Sequence, residues 1–292
     1  MKTLFPQLTP EQLKLLPTEK DIAFYEEHGW YISPPIIPDE IIDLATEGSQ
    51  KFYRGEKDAT LPVTTGYSDW KPEDGEIVRN NEFVSLQKTE LRNLALQPII
   101  GAIAAKLART DAIRLLDDQL VYKPPQSQQR NSTVGWHSDR AYWGTCSSNK
   151  LLTAWIPFHD CDELRGPLVV LDKSHQWSGL QDMRHFNDPH LENLEGQFRQ
   201  EGKKVVKVPM TLKKGQVSFH HCWTIHGSYP NRSDKHRQAL AVHLQDKDNH
   251  YRAYTNKQGR EIHIFDEQLC RTLPNGDPDF GDPAVFPQLW SV

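Results

Sequence analysis

A histidine and an aspartate, separated by one residue, lie in the segment VGWHSD at residues 134–139. If this segment is a β-strand, alternate side chains point to the same face, so His137 and Asp139 converge on one point. These two ligands alone would hold a metal ion weakly, and His226, in the later segment HGSYPN, can supply a third. The sequence therefore predicts a metal site formed by two imidazoles and one carboxylate.

The open coordination positions of such a site indicate which metal it binds. Two imidazoles and one carboxylate on one side of a metal are typical of non-haem Fe(II) oxygenases. Zinc is usually closed off by a further protein ligand or keeps a position for water. Because iron needs room for O2 and for a co-substrate beside it, we predict Fe(II), O2 and an organic co-substrate.

Arg237 indicates the nature of that co-substrate. It follows His226 closely in the sequence, and its planar guanidinium can bind a carboxylate through two parallel hydrogen bonds. We therefore expect a co-substrate that ends in a carboxylate, as 2-oxoglutarate does.

Two other histidines compete with His226 for the position of the third ligand. His220 shares strand parity with His226, whereas His221 does not. Only His226 is followed by Gly-Ser and by an arginine farther along, so we expect His226 to bind the metal.

Three further residues are candidates for the substrate pocket. His243 shares parity with Arg237, so in an unbroken strand its side chain faces the same interior. It either contacts substrate or is a hydrogen-bonded interior group. Tyr142 and Trp143 follow the first ligand pair and either line the pocket or pack against the core.

Charge and hydropathy exclude several classes of protein. The net charge is −5 and the isoelectric point is near 6.2, so the chain lacks the basic surface expected for nucleic-acid binding. Its first residues lack the apolar run of a signal peptide, and no window approaches the length of a membrane span. We expect a soluble, cytoplasmic protein with a small-molecule substrate and without a nucleic-acid or membrane partner.

The four cysteines are widely spaced and form no Cys-x-x-Cys pair, which favours free thiols in a reducing compartment. Cys222 lies close to His226 in the sequence, but a thiolate favours zinc or copper over iron. We expect Cys222 to be a buried structural residue.

Helices are predicted mainly in the first third of the chain. Thr9 followed by Pro10 starts a short helix, and residues 18–29 form an amphipathic helix that ends in glycine. Periodic apolar residues predict two more helices, over residues 38–53 and 89–109.

The rest of the chain predicts strands and loops. Residues 55–80 are rich in Gly, Asp, Thr and Pro and predict a long loop that covers a pocket mouth. From residue 112 onward, short β-like runs without intervening helices predict an antiparallel sandwich or barrel. The polar residues 173–203 fit an insertion between strands. We expect a mainly β fold with N-terminal helices and a double-stranded β-helix, or jelly-roll, core.

The length alone allows one large domain or two small ones. We expect a single domain over residues 1–292, since the sequence has neither an internal repeat nor a low-complexity stretch. Its parts are a helical segment at 1–111, the β-helix core at 112–250 and a C-terminal tail at 251–292.

Together these segments resemble the phytanoyl-CoA dioxygenase family of Fe(II)/2-oxoglutarate oxygenases. The resemblance covers most of the chain, and the order and spacing of its motifs make it specific. The matching segments are FYEEHGWYI at 24–32, VYKPP at 121–125, HSD at 137–139, TAWIP at 153–157, RGPLVVLDKSH at 165–175 and HGSYPN at 226–231, followed by Arg237.

The resemblance implies roles for the residues at matching positions. It implies that His137, Asp139 and His226 bind iron. It implies a salt bridge between Arg237 and the C5-carboxylate of 2-oxoglutarate, with the hydroxyl of Ser228 reaching the same carboxylate.

Other positions match more loosely. Gln119 and Trp155 correspond to positions that line the co-substrate in the family, and Arg79 lies where members have a basic residue near the co-substrate. Ser138 stands where the family often has glutamine, so we expect more space, or one contact fewer, near the co-substrate.

Two more positions bear on the expected reaction. The family's Pro-Gly-Ser-His turn is replaced by residues 172–175, DKSH, which we expect to affect only a loop. Halogenating relatives replace the carboxylate ligand with Ala or Gly so that chloride can bind iron. The intact Asp139 therefore favours hydroxylation or another oxidative outcome.

We therefore expect an Fe(II)/2-oxoglutarate-dependent dioxygenase that hydroxylates an unactivated C–H bond of a small-molecule metabolite or natural-product intermediate and converts 2-oxoglutarate to succinate. An acyl-CoA hydroxylase of the same family and a non-catalytic, metal-binding jelly-roll protein are the alternatives. A zinc hydrolase with the same ligands would need a positioned general base, to which the sequence does not point.

Overall fold

The computed structural model describes residues 8–63, 70, 72–126, 132–180 and 183–292. In these ranges the α-helices are α1 (Pro10–Leu13), α2 (Glu19–His28), α3 (Asp39–Tyr53), α4 (Thr89–Ala95), α5 (Pro98–Leu107), α6 (Asp139–Tyr142) and α7 (Leu191–Gln200). The strands are β1 (Trp30–Ile32), β2 (Arg79–Glu82), β3 (Ala112–Lys123), β4 (Val134–His137), β5 (Leu152–Pro157), β6 (Val169–Leu171), β7 (Lys207–Pro209), β8 (Ser218–His221), β9 (His226–Ser228), β10 (Arg237–Asp246), β11 (Tyr254–Thr255), β12 (Glu261–Ile262) and β13 (Gln288–Ser291).

Capping residues set the bounds of the first helices, as predicted. The hydroxyl of Thr9 accepts a hydrogen bond from the N–H of Gln12, and the hydroxyl of Thr18 accepts one from the N–H of Asp21. These contacts satisfy N–H groups that have no partner within the helix. Gly29 ends α2 in the left-handed conformation, with φ 79°.

The single helix predicted over residues 89–109 is wrong, because two helices, α4 and α5, occupy this segment. Pro98 is the first residue of α5, where its missing N–H removes no hydrogen bond from the helix. A proline also keeps the preceding residue out of the helical conformation, and Gln97 is extended, with φ −61° and ψ 121°. Apolar residues continue across the break, so periodicity alone did not detect it.

Two antiparallel sheets form a double-stranded β-helix, as predicted. The larger sheet has the strand order β1-β8-β5-β10-β3-β13, with β2 also paired to β3. The smaller sheet has the order β4-β9-β6-β7. β1 lies in the predicted helical segment and β13 in the predicted C-terminal tail, so both contribute strands to the larger sheet.

Strand β10 shows that one face of the larger sheet packs in the main hydrophobic core, whereas the other face points into the space between the two sheets. Side chains alternate between the two faces of a strand. Leu240 and Val242 pack in the main hydrophobic core with the helices, whereas Ala239 and Ala241 pack in a core shared with the smaller sheet. Arg237 has the parity of the second pair, so its side chain enters the space between the sheets.

Two segments of the chain were predicted to be a polar insertion and a long loop. The polar insertion predicted over residues 173–203 lies between β6 and β7 and contains α7. Of the loop predicted over residues 55–80, residues 64–69 and 71 lie outside the described residues.

The structure also bears on the cysteines and on membrane insertion. All four cysteines are free thiols, as predicted, and Cys222 is buried. Among the described residues, no helix has both the length and the apolar character required to cross a bilayer.

We expect Gly29→Ala to lower the free energy of unfolding more than Gly55→Ala does. Both glycines have positive φ, 79° and 83°, so alanine at either position costs about 1–2 kcal/mol of backbone strain. A Cβ on Gly29 would also lie 2.7 Å from Thr224 Oγ1 and collide with the ring of His175, whereas nothing lies within 4 Å of Gly55. Urea unfolding measures both variants, and equal losses would contradict the packing contribution.

Candidate metal site and the cavities beside it

Strands β4 and β9 bring together residues that are far apart in the sequence. The strands are antiparallel, with His137 opposite His226. β4 ends at His137, and Asp139 is the first residue of α6, so the prediction that one strand contains both residues is wrong. The chain turns into α6 because the N–H of Arg140 donates to the carbonyl of Cys222. The two side chains still converge, through a strand end and a helix start.

His137, Asp139 and His226 form a candidate metal site. Their ligand atoms lie within 4.8 Å of one another and are buried. Oδ1 of Asp139 is 3.3 Å from Nε2 of His226 and 3.9 Å from Nε2 of His137. This donor set fits Fe(II). Within the described part of the chain, no other group of three potential ligands meets the same distance limit.

Backbone carbonyls orient both histidines toward this point. Nδ1 of His137 donates to the carbonyl of Gly135 at 2.8 Å, and Nδ1 of His226 donates to the carbonyl of Thr224 at 3.0 Å. A carbonyl only accepts, so each Nδ1 has a proton and each Nε2 is the nitrogen that can bind a metal.

Three side chains of the larger sheet surround the second oxygen of Asp139. The hydroxyl of Thr153 donates to Oδ2 at 2.5 Å, and Nε2 of His220 donates to it at 3.2 Å. The same hydroxyl accepts from Nδ1 of His243 at 2.7 Å. With Oδ2 occupied in this way, Oδ1 is the oxygen available to a metal.

Burial and mutual charge set the protonation of the three candidate ligands. Burial and the neighbouring His226 lower the pKa of His137 to about 3, so its ring is neutral. Burial opposes ionisation of Asp139, but the charge of His226 and the hydrogen bonds from His220 and His226 together outweigh it and hold the pKa of this carboxyl well below its usual range. Burial lowers the pKa of His226, but the charge of Asp139 and the hydrogen bonds to Asp139 and Thr224 together outweigh burial, so the pKa lies above its usual value. A bound cation would replace the proton on His226 as the counter-charge of Asp139.

A narrow cavity leads from the candidate metal site to Arg237, and Ser228, Trp155 and Gln119 line it. Nη2 of Arg237 donates to Oγ of Ser228 at 3.4 Å, and its guanidinium lies 5.5 Å from the ring centroid of Trp155. The structure thus brings these four predicted co-substrate residues to one cavity.

Lys123 is a second buried cation at the Arg237 end, and the sequence analysis did not single it out. β10 and β3 place it opposite Arg237, and its Nζ donates to Oγ of Ser228 at 2.5 Å and to the carbonyl of Tyr229 at 2.8 Å. Burial, followed by the charge of Arg237, lowers the pKa of Lys123 well below its usual range. Among the described residues, neither cation has a carboxylate within salt-bridge distance.

The hydroxyl of Ser228 connects these two cations to the cavity. It accepts from both Lys123 and Arg237, so its own proton is left to donate to an acceptor in the cavity. Arg237 and the hydroxyl of Ser228 therefore line the end of the cavity opposite the candidate metal site, and Lys123 contacts the same hydroxyl. This arrangement suits a carboxylate.

A larger cavity of about 1050 Å3 opens beside the candidate metal site. His137 and Asp139 contribute to its wall, together with Tyr142, Trp143 and His243. All three residues predicted for the substrate pocket therefore surround this space.

Arg79 lines the larger cavity rather than the described wall of the narrow one. Its guanidinium lies 3.5 Å from the ring centroid of Trp70 and 4.1 Å from that of Tyr122. It also donates to a carboxylate oxygen of Glu76 at 3.1 Å. The predicted contact between Arg79 and the co-substrate stays a prediction.

Known proteins share this fold over nearly the whole chain. The solved carbocyclase SnoK from nogalamycin biosynthesis, described as non-heme and alpha-ketoglutarate-dependent, has a TM-score of 0.69 at 24% identity and covers 93% of this chain and 96% of its own. The epimerase SnoN, solved in complex with Fe3+, alpha ketoglutarate and nogalamycin RO, has a TM-score of 0.65 at 22% identity and covers 93% and 98%. A jelly roll with a buried His-Asp-His site is the architecture of Fe(II)/2-oxoglutarate-dependent oxygenases.

Sequence comparison gives the family. Residues 25–239 match the model of the family described as Phytanoyl-CoA dioxygenase (PhyH). The peroxisomal phytanoyl-CoA dioxygenase of Homo sapiens is 26% identical over 244 residues, which are 78% of this chain and 68% of that protein. The chain belongs to the phytanoyl-CoA dioxygenase family, and it is an Fe(II)/2-oxoglutarate-dependent dioxygenase.

We expect Thr153→Val to weaken binding of Fe(II), or of Mn(II) as a substitute, by about 10- to 100-fold, since loss of a group that orients a ligand typically has this effect. Valine keeps the shape of threonine but removes the hydroxyl that holds Asp139. Metal titration calorimetry under argon measures the change. Thr46→Val, which removes a hydroxyl bonded only to the carbonyl of Ile42 within α3, is the control. Unchanged affinity in Thr153→Val would show that this hydroxyl does not position Asp139.

Proposed function

We propose that the enzyme hydroxylates an unactivated C–H bond of a small-molecule metabolite or natural-product intermediate, with 2-oxoglutarate as co-substrate. One observation supports this most strongly. A narrow cavity connects the His137, Asp139 and His226 site to Arg237 and Ser228. Lys123 contacts the Ser228 hydroxyl, and neither Arg237 nor Lys123 has a described carboxylate partner. A larger cavity that can admit a substrate opens beside the same site.

Each residue has a role in this proposal. Nε2 of His137, Nε2 of His226 and Oδ1 of Asp139 would hold Fe(II). When bound with 2-oxoglutarate and O2, Fe(II) supplies the oxidising chemistry, in which 2-oxoglutarate loses CO2 to become succinate and a substrate C–H bond is hydroxylated. Arg237 and Ser228 would bind the far carboxylate of 2-oxoglutarate.

The remaining residues orient and enclose the reactants. Lys123 would add a second positive charge at the far carboxylate. Trp155 and Gln119 would pack along the chain of 2-oxoglutarate, since both line the narrow cavity. Tyr142 and Trp143 would exclude water from the substrate side, where a dry wall favours the intended reaction over side reactions.

The charges of the larger cavity favour a small molecule over an acyl-CoA. The name of the human relative supports the acyl-CoA alternative. However, the described wall contains six carboxylates and only two guanidiniums, and these are Asp74, Glu76, Glu82, Asp117, Asp139 and Asp266 against Arg79 and Arg184. The phosphates of coenzyme A would find few cationic partners on such a wall and would be repelled by its ionised carboxylates.

We expect purified enzyme with Fe(II) and ascorbate to take up O2 and form succinate only when 2-oxoglutarate is present. His137→Ala should abolish succinate formation and lower metal content, because it removes a proposed ligand. Arg237→Leu should weaken 2-oxoglutarate binding with little loss of iron, because its proposed partner is the co-substrate. Absence of succinate across a broad substrate panel, with unchanged metal content in His137→Ala, would refute the proposal.

We expect Lys123→Met to weaken 2-oxoglutarate binding by roughly 10- to 100-fold, since a hydrogen bond to a charged group contributes about 1.5–3 kcal/mol. Methionine keeps the length and the apolar stem of lysine but removes its charge. Calorimetric titration with 2-oxoglutarate measures the affinity, and titration with Fe(II) serves as the internal control. If affinity for 2-oxoglutarate is unchanged, Lys123 only supports the loop that contains Tyr229.

A further inference from the structure

Five of the six carboxylates in the wall of the larger cavity have no role in the proposed reaction, and three of these five are buried or half-buried. They are Glu82 at the end of β2, Asp117 on β3 and Asp266 in the short 3-10 helix Phe265–Gln268. Asp117 and Asp266 are about nineteen-twentieths buried, with 4% and 5% of their surface exposed. Burial of a carboxylate is costly unless a partner compensates its charge.

The described part of the protein provides little compensation. Glu82 accepts one long hydrogen bond, at 3.3 Å, from Gln119, and Asp117 accepts one from the N–H of Asp118 at 2.6 Å. Oδ1 of Asp266 has no hydrogen-bond partner. Among the described residues, none of the three carboxylates forms an ion pair with a lysine, arginine or histidine.

The three charges also repel one another. Burial, followed by the charges of Glu82 and Asp266, raises the pKa of Asp117 well above its usual range. Burial raises the pKa of Asp266 to about 8, and the charge of Glu82 adds to this. A positive charge placed among them would relieve this repulsion and favour the ionised carboxylates.

The spacing of the group favours an organic cation over a metal ion. In the described residues, only His137, Asp139 and His226 bring three potential ligand atoms close enough for one ion. An ammonium group can be held by hydrogen bonds to one or two carboxylates while its charge attracts the third at longer distance, so it does not need three ligand atoms at one point. Phe265 and Trp143 line the same cavity and offer ring faces that attract a cation.

We infer that the substrate contains an ammonium group, which Glu82, Asp117 and Asp266 bind, and that this contact orients the molecule for oxidation. The inference rests on the proposed function and specifies its substrate class.

The register of the larger sheet relates this acidic wall to the candidate metal site. β3 and β10 place Asp117 opposite His243, and β10 and β5 place His243 opposite Thr153. Thr153 in turn donates to Asp139. A bound ammonium would therefore lie a few strand spacings from the metal, so the oxidised carbon would be separated from the nitrogen by several bonds.

The test is binding of matched probes to enzyme loaded with Fe(II) and 2-oxoglutarate under argon. Calorimetry compares 2-phenylethylamine, which is cationic at neutral pH, with 2-phenylethanol, which has nearly the same shape but no charge. We expect the amine to bind at least tenfold more tightly. Asp266→Asn, which keeps the shape of the side chain, should reduce that preference to less than threefold.

Two further variants complete the design. Asp248→Asn removes an exposed carboxylate outside the cavity wall and should leave the preference unchanged. Glu82→Gln replaces a half-buried carboxylate, so it tests the same prediction if Asp266→Asn fails to fold. Circular dichroism and 2-oxoglutarate titration verify that each variant is folded.

Three results would overturn the inference. Wild-type enzyme that binds 2-oxoglutarate but shows no preference for the amine would mean that the acidic wall is not a cation site. A preference that survives both Asp266→Asn and Glu82→Gln would place the cation elsewhere. Displacement of the amine by calcium chloride, with Ca2+ bound tightly at the same carboxylates, would assign the wall to a metal ion. None of these results depends on turnover, so the proposed hydroxylation is tested separately by succinate formation.

Discussion

An arginine and a lysine buried side by side, without a described carboxylate partner, are the constraint on which the rest of the site depends. Arg237 and Lys123 meet at the hydroxyl of Ser228 because β10 and β3 pair with these residues opposite each other. A buried, unpaired charge costs several kcal/mol, and the lowered pKa of Lys123 reflects this cost. A ligand with a terminal carboxylate removes that cost. At the other end, the negative charge of Asp139 faces the imidazoles of His226 and His220, and a metal cation would balance it. The two ends together select a ligand that spans a cation pair and a metal.

Side chains alternate between the two faces of each strand, and this alternation both builds the core and positions the residues of the candidate site. The residues of β10 that face the helices are apolar and buried, and their neighbours face the space between the sheets. Across the larger sheet, the register places His220, Thr153, His243 and Asp117 in one row, on β8, β5, β10 and β3. This row begins at the oxygen of Asp139 that does not face the metal and ends in the acidic wall of the larger cavity. The metal, co-substrate and substrate regions therefore all depend in part on the larger sheet, and a change in its register would disturb all three.

Local sequence motifs were sufficient to predict much of the fold and of the candidate metal site. Short sequence motifs are enough to identify the helix caps at Thr9 and Thr18, the ligand pair in VGWHSD, and His226 with Ser228. The chemistry of these motifs can be inferred without knowledge of the fold. Features that depend on the register between strands could not be predicted from the local sequence. Lys123 resembles any other lysine until β3 is aligned with Arg237, and Glu82, Asp117 and Asp266 are separated in the chain by long intervals. Asp139 was assigned to a strand because an i, i+2 spacing fits one, but the chain turns after His137 and brings the carboxylate to the metal from a helix. Pro98 divided a predicted helix whose apolar pattern has no gap.

The most direct test of the account is a crystal structure of the enzyme prepared under argon with Fe(II) and 2-oxoglutarate. The account predicts density for one metal ion bound by Nε2 of His137, Oδ1 of Asp139 and Nε2 of His226. It predicts the far carboxylate of 2-oxoglutarate between Arg237, Ser228 and Lys123, within hydrogen-bond distance of all three. A metal bound by other residues, or a co-substrate carboxylate that leaves Arg237 and Lys123 without a partner, would contradict the central claim.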